Sequence, residues 1–334
     1  RPPPSPARSG SGRGFSSAAA NSRRFSLNSL QLRAYLPSVI SRRTFLRLSG
    51  ATVLAGAGLS SYAFAVEPWM RLVVTPYRLT PPGWPAGAKL KVAIVTDTHA
   101  CEPFMPAERL DRIVRATNAL EPDVVFLLGD YVAGLQRFRT GVVPIRVWSR
   151  ALGRLEAPLG VHAILGNHDW WTDGEGVWHG LEDNGVQVLE NKAVRIDAKG
   201  LPAFWLAGLG DQIADFRAGA YRGRDDLPGT LAGIPDDGTP VILLAHEPDI
   251  FTKVPDRVSL TLSGHTHGGQ VRLPFVGRPV VPSHYGQRFA YGHVVESGRN
   301  LIVSAGLGCS GLPVRFGVPP EIVLIELGGG DAAA

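Results

Sequence analysis

The sequence predicts an α/β domain in which two mixed β-sheets pack face to face with helices outside. Three observations lead there. From about Lys89 onward, short apolar runs alternate with amphipathic stretches. In the middle of this region three apolar runs follow one another without helical spacers, which implies a second sheet. The roughly 240 residues involved are also enough to bury one large core.

Five runs read as buried strands: LKVAIVT (90–96), DVVFLL (123–128), VHAIL (161–165), PVILLA (240–245) and RVSLTLS (257–263). Between the first two, Pro106 to Leu120 puts Leu110, Ile113, Val114 and Thr117 on one helical face, and Pro122 ends that helix. Residues 143–155 repeat the pattern with Val143, Val147, Ala151 and Leu155. A helix around Trp178 to Leu181 precedes VQVL, AVRI and FWLAG, the strands assigned to the second sheet. No internal repeat is visible.

Each of the five strands stops at a polar cluster. In order these are Asp97-Thr98-His99, Gly129-Asp130, Gly166-Asn167-His168-Asp169, His246 and Gly264-His265-Thr266-His267. Strands of one sheet present their carboxyl ends along one edge, so clusters spread over the chain can meet in one pocket. Together they offer hard carboxylate oxygen, neutral imidazole nitrogen and an uncharged amide oxygen. That set suits two divalent cations with a shared carboxylate. No thiolate is present among them, which favours manganese, iron, zinc or magnesium in a hydrolytic site over a structural zinc site.

In order and spacing the clusters resemble the calcineurin-like metallophosphoesterases, whose pattern runs D-x-H, G-D, G-N-H-D/E, a lone H and G-H-x-H. The resemblance covers roughly residues 89–327. It implies a first metal held by Asp97, His99, Asp130 and His267, and a second held by Asp130, Asn167, His246 and His265, with Asp130 as the bridge. It also implies that His168 contacts the scissile phosphate, where an imidazole would stabilise developing charge or protonate the leaving oxygen; Asp169, beside it, is expected to orient His168 or a ligand. The strings GHTHGGQVRLP, PSHYGQRFAYG and GLGCSGLPVRFGVPPEI are similar to the bacterial YaeI/YkuE-type branch. That branch implies an envelope phosphoesterase, with UDP-2,3-diacylglucosamine among its substrates.

Other residues read differently. His162, inside a strand, and His179, on a helix, are structural; His284 and His293 carry no assignment. Cys101 and Cys309 read as free thiols. Arg315 reads as a phosphate contact or a structural ion pair.

Residues 1–66 contain nine arginines and no lysine, aspartate or glutamate; the whole chain carries +5, which leaves −4 for residues 67–334. The basic balance therefore belongs to the leader. Specific nucleic-acid binding is not expected, and phosphate must be attracted chiefly by metal. Ser41-Arg42-Arg43-Thr44-Phe45-Leu46-Arg47 resembles a twin-arginine export signal, followed by a weakly apolar stretch, Leu48 to Val66, and a small-residue site at Ala63-Phe64-Ala65. The expected division is a disordered or untranslated leader (1–40), an export signal or signal anchor (41–66), a linker (67–88), the catalytic domain (89–328) and a flexible tail (329–334). The expected partners are a phosphate-ester substrate, the twin-arginine export machinery and, through residues 48–66, the membrane. The expected location is the periplasm or the outer face of the cell membrane.

Overall fold

The computed structural model describes residues 40–132, 135–197 and 200–328, with only the backbone at Gln136. The expected leader (1–40), apart from Ile40, and the tail (329–334) lie outside the described residues. The chain divides into two units, one ending at Ala51 and one beginning at Thr52. In the first, Ser41 Oγ accepts the Thr44 backbone N–H at 3.1 Å and so caps the helix that follows.

The chain runs through α1 (Arg42–Ser61), a π-helical turn (Tyr62–Val66), α2 (Glu67–Met70), β1 (Val73–Leu79), β2 (Leu90–Val95), β3 (Cys101–Glu102) and α3 (Ala107–Asn118). Next come β4 (Val124–Leu127), β5 (Gly141–Val142), α4 (Ile145–Leu152), β6 (Val161–Ala163), α5 (Asn167–Glu182), β7 (Gln187–Val188), β8 (Lys192–Ile196) and β9 (Phe204–Gly208). The last third holds β10 (Asp215–Arg217), β11 (Ala220–Arg222), α6 (Leu227–Ala232), β12 (Val241–Leu244), β13 (Leu260–Ser263), β14 (Gly292–Glu296), β15 (Arg299–Val303) and β16 (Glu321–Leu327).

Two six-stranded sheets result, in the orders β1-β16-β2-β4-β6-β7 and β14-β15-β13-β12-β9-β8. Each has four parallel strands, β2-β4-β6-β7 in one and β15-β13-β12-β9 in the other; β16, β14 and β8 join these runs antiparallel, and β1 lies parallel to β16 at the edge. Side chains alternate along each strand, so β2 sends Leu90, Val92 and Ile94 into the core between the sheets and Ala93 and Val95 to the opposite face. Phe126, Phe204, Leu244 and Leu262 complete the inner layer. The outer face of the first sheet is covered by α3, α4 and α5; on α3, Leu110, Ile113, Val114 and Thr117 are buried at helical spacing, as the sequence predicts. Emptying Leu110 to alanine would cost about 2–5 kcal/mol.

Three expectations are corrected. The five cluster-bearing strands do not share one sheet: β2, β4 and β6 belong to the first, β12 and β13 to the second. Of the three consecutive runs, VQVL pairs with β6 at the edge of the first sheet, and only the other two enter the second. Residues 67–88 are more than a linker, because α2 and β1 lie there and β1 pairs with β16 over its whole length. An edge strand that contains Pro76 and exposes every second residue carries little apolar signal.

The segment after α1 packs onto the domain. The Arg315 N–H donates to the Ala63 carbonyl at 3.0 Å, and the Glu67 carboxylate accepts the N–H groups of Gly317 and Val318 at 3.0 and 2.6 Å. Trp69 meets Phe104 edge to face with ring centres 5.1 Å apart.

Candidate metal centre

All five polar clusters leave the carboxyl ends of parallel strands, and the two sheets aim those ends at one place. The price is backbone strain. Asp97, His99, Asp130, His265 and His267 have φ values of 52°, 45°, 56°, 66° and 51°. Such left-handed non-glycine residues cost on the order of 1–3 kcal/mol each and collect at functional sites. Gly129, at φ 96°, is needed for a second reason: a Cβ there would stand 2.5 Å from Gly166 N and 2.9 Å from His246 Nδ1.

Two groups of donors converge. Asp97, His99 and His267 form one; Asp130, His246 and His265 form the other. Asp130 Oδ2 lies between them, 3.6 Å from His99 Nε2 and 3.2 Å from His246 Nε2. Asn167 Oδ1 reaches the second group, 3.0 Å from His265 Nδ1. In the first, His267 Nε2 is 3.0 Å from His99 Nε2 and 3.5 Å from Asp97 Oδ1.

The imidazoles are prepared for metal. His99 Nδ1 faces the Val132 carbonyl at 2.8 Å and His246 Nδ1 faces the Leu128 carbonyl at 2.6 Å. A carbonyl only accepts, so each Nδ1 carries a proton and each Nε2, the atom a cation would take, faces Asp130. Burial disfavours charge on His246, but the Asp130 carboxylate outweighs it and holds this ring well above the usual histidine range; a bound cation would replace that positive charge. Burial pushes His99 down to about 3 and, with His99 and Arg315 nearby, holds His267 well below the usual histidine range. Burial, with Asp130 next to it, lifts Asp97 to about 7. Imidazole nitrogens and crowded buried carboxylates facing one another make a donor set that fits divalent ions.

The neighbouring residues take distinct positions. His168 donates its backbone N–H to Asp130 Oδ1 at 2.8 Å, while its ring sits between those of His99 and Trp171 and reaches Ser310 Oγ at 3.2 Å. Its side chain lines the open pocket. Asp169 does not orient His168 directly. Its carboxylate accepts four backbone N–H groups: Asp130 (2.8 Å), Tyr131 (2.9 Å), Val132 (3.3 Å) and Gly166 (2.9 Å). It thereby fixes the loop that carries Asp130, and is a positioning residue. Arg315 is fully buried, away from the pocket lining, and among the described residues forms no ion pair: it donates to the carbonyls of Ala305, Gly308 and Val318, and places Nη2 3.3 Å from His267 Nδ1. His162 is tied to Gln187 and the Leu159 carbonyl, and His293 to Asn300. Cys101 and Cys309 are free and buried.

The calcineurin-like phosphoesterase family pattern matches residues 90–269, which contain every one of these donors. The chain belongs to the calcineurin-like phosphoesterases. Family members are hydrolases that use divalent metals, and the clustered donors agree with that chemistry. The chain is 32% identical over 298 residues to the uncharacterized metallophosphoesterase YkuE of Bacillus subtilis (strain 168), covering 86% of this chain and 98% of that protein. It is 28% identical over 293 residues to the phosphodiesterase YaeI of Escherichia coli (strain K12), covering 86% of this chain and 100% of that one. A transmembrane protein with metallophosphoesterase domain from Bos taurus is 32% identical over 299 residues, 86% of this chain and 63% of its own length.

The phosphoesterase pocket, about 930 Å³, also holds residues that the sequence motifs did not single out. Trp171 and Tyr221 stack with ring centres 5.7 Å apart along one wall. Arg137 and Lys253 supply positive charge, and His284, unassigned from sequence, lines the pocket with Ser283. Glu247, directly after His246, was the one legible signal: an acid beside a candidate metal-ligating histidine.

Proposed function

We propose that this metallophosphoesterase hydrolyses a phosphodiester or pyrophosphate bond with two divalent cations, one held by Asp97, His99, Asp130 and His267 and one by Asp130, Asn167, His246 and His265. The observation that carries the reading is Asp130 Oδ2 standing between the two imidazole groups. When bound, the cations supply charge that activates water and neutralises phosphoryl oxygens. The chain's own residues do the rest. His168 presents its ring to the pocket, where it stabilises developing charge or protonates the departing oxygen. Asp169 keeps Asp130 in place, and Arg137 and Lys253 draw the anionic substrate inward. Asp130→Asn tests the bridge: metal analysis should find both cations depleted and hydrolysis abolished. Two retained metals with full activity would sink it. A panel of monoester, diester and pyrophosphate substrates separates this reading from a broad phosphomonoesterase or nuclease.

A substrate embedded in a membrane, such as a nucleotide-linked lipid, is favoured by an exposed apolar rim. Phe275 is fully exposed at a turn closed by Leu273 and Gly277, and Val276, Val280 and Leu312 are exposed too. The same stretch continues into Val281–His284 at the pocket. Its base pairs with Phe316, on which the Tyr62 ring packs at 6.1 Å, so the end of the apolar N-terminal helix adjoins it. Contiguous exposed apolar surface of this kind marks a membrane or protein contact. Replacing Phe275, Val276 and Val280 with aspartate in the detergent-solubilised full chain should spare hydrolysis of a soluble diester and suppress that of a lipid phosphodiester in vesicles. Equal loss on both would refute a membrane-facing rim. Burial of Ala63, whose carbonyl accepts the Arg315 N–H, favours a retained anchor over cleavage after Ala65. Export through the twin-arginine route predicts that Arg42→Lys with Arg43→Lys leaves folded enzyme in the cytoplasm; normal translocation of that variant would exclude the route.

A further inference from the structure

Beside the second donor group lie two buried acids that no part of the two-metal reading uses. Asp211 and Glu247 each place a carboxylate oxygen within 4.8 Å of a ring nitrogen of His246. Glu247 is held by one oxygen only: Oε2 accepts the Gln212 backbone N–H at 3.0 Å and its side-chain Nε2 at 3.2 Å. The other oxygen, Oε1, is buried, makes no hydrogen bond and stands 4.0 Å from His265 Nδ1. His265 Nδ1 is the atom that meets Asn167 Oδ1. Behind Glu247, Asp211 Oδ1 accepts the Ile213 N–H at 2.8 Å while Oδ2 is buried and unpaired. Among the described ion pairs, neither acid faces a lysine or arginine. The two acids also interact side chain to side chain, so the pair shares a proton and one negative charge remains buried without a lysine or arginine to offset it, which costs several kcal/mol. Gln212 grips one side of Glu247 and aims the other at His246 and His265, which is how a ligand is pre-oriented.

We propose that Glu247 Oε1 is a further ligand of the second cation, joining Asp130, Asn167, His246 and His265, with Asp211 as the acid that backs it. The inference rests on the two-metal reading above. An added carboxylate makes that position richer in oxygen than the first, and harder oxygen donors favour manganese or magnesium over zinc. The two cation positions therefore differ in preference, the second taking the harder ion.

Manganese titration of metal-free protein, followed by electron paramagnetic resonance, tests this apart from catalysis. Wild-type protein should bind two ions; a single ion would overturn the two-metal reading itself. With two ions bound by the wild type, Glu247→Gln should weaken one of them by at least about 10- to 100-fold and leave the other unchanged. Unchanged affinity at both positions would overturn the inference alone. Metal-free Glu247→Gln should melt no lower than wild type, because the substitution removes a buried unpaired charge; a lower melting temperature with intact metal affinity would mean a purely structural role and overturn the proposal. Glu247→Asp, which withdraws the oxygen by one methylene, should show the same selective weakening and serves if the glutamine variant does not fold. Anomalous scattering from manganese-loaded crystals should find Glu247 bonded to the second ion, and a Glu247 oxygen beyond bonding distance would refute direct ligation.

Discussion

Replacing Asp169 with asparagine alters only the carboxylate that ties the Asp130 loop to the start of α5. The carboxylate accepts four backbone N–H groups, two on each oxygen. An amide has one accepting oxygen, so its NH2 must face two N–H donors. The milder orientation turns NH2 toward Tyr131 and Val132, whose bonds are longer at 2.9 and 3.3 Å, and keeps the oxygen on Asp130 and Gly166. Two stranded buried donors at about 1–3 kcal/mol each give a loss of about 2–6 kcal/mol. For a domain of this size that corresponds to roughly 10 °C in melting temperature. Burial, with Asp130 close by, raises Asp169 to about 7, so melts of metal-free protein belong at pH 8, where the carboxylate is ionised. Because Asp130 N is one of the four donors, metal affinity should fall as well, by about 10-fold or more. A melting temperature within about 2 °C of wild type, with metal affinity unchanged, would refute the assignment of Asp169 as the anchor of this loop.

His168→Ala, by contrast, should keep both metals and the melting temperature while lowering kcat by about 10²- to 10⁴-fold. If His168 is the acid, a nitrophenolate ester should suffer less than an alkyl ester, and loss of a metal from this variant would show the role to be wrong. Glu190 has both oxygens buried without hydrogen bonds, and burial, outweighing the attraction of Arg224, raises it to about 8. A raised carboxyl stabilises the fold while protonated and loses that contribution as pH climbs from the ordinary glutamate range through about 8. Glu190→Gln should accordingly leave the melting temperature unchanged at pH 5 and raise it at pH 9, by about 1–3 kcal/mol in unfolding free energy. Equal effects at both pH values would exclude a buried neutral acid.

The sequence by itself determined the α/β class and the positions of the donors, because both are local properties. An apolar run long enough for a buried strand, stopped by a polar cluster, needs no knowledge of partners. Asp97, His99, Asp130, Asn167, His246, His265 and His267 were legible for that reason, and so was the helical face of Leu110, Ile113, Val114 and Thr117. Tertiary structure decided what depends on pairing and approach. That the donors come from two sheets follows from hydrogen bonding between strands, which leaves no trace in any one strand. β1 escaped notice because its seven residues alternate around a proline at a sheet edge. Asp169 was expected to orient His168 or a ligand, and only the fold shows that it does so through the backbone of the Asp130 loop; Arg315, expected on phosphate or in an ion pair, instead donates to backbone carbonyls. The left-handed φ values at five donors are imposed by convergence of the loops and oppose local preference, so no propensity could have announced them. Glu247 lies in the sequence beside His246, but only the grip of Gln212, 35 residues away, turns its free oxygen toward the histidines.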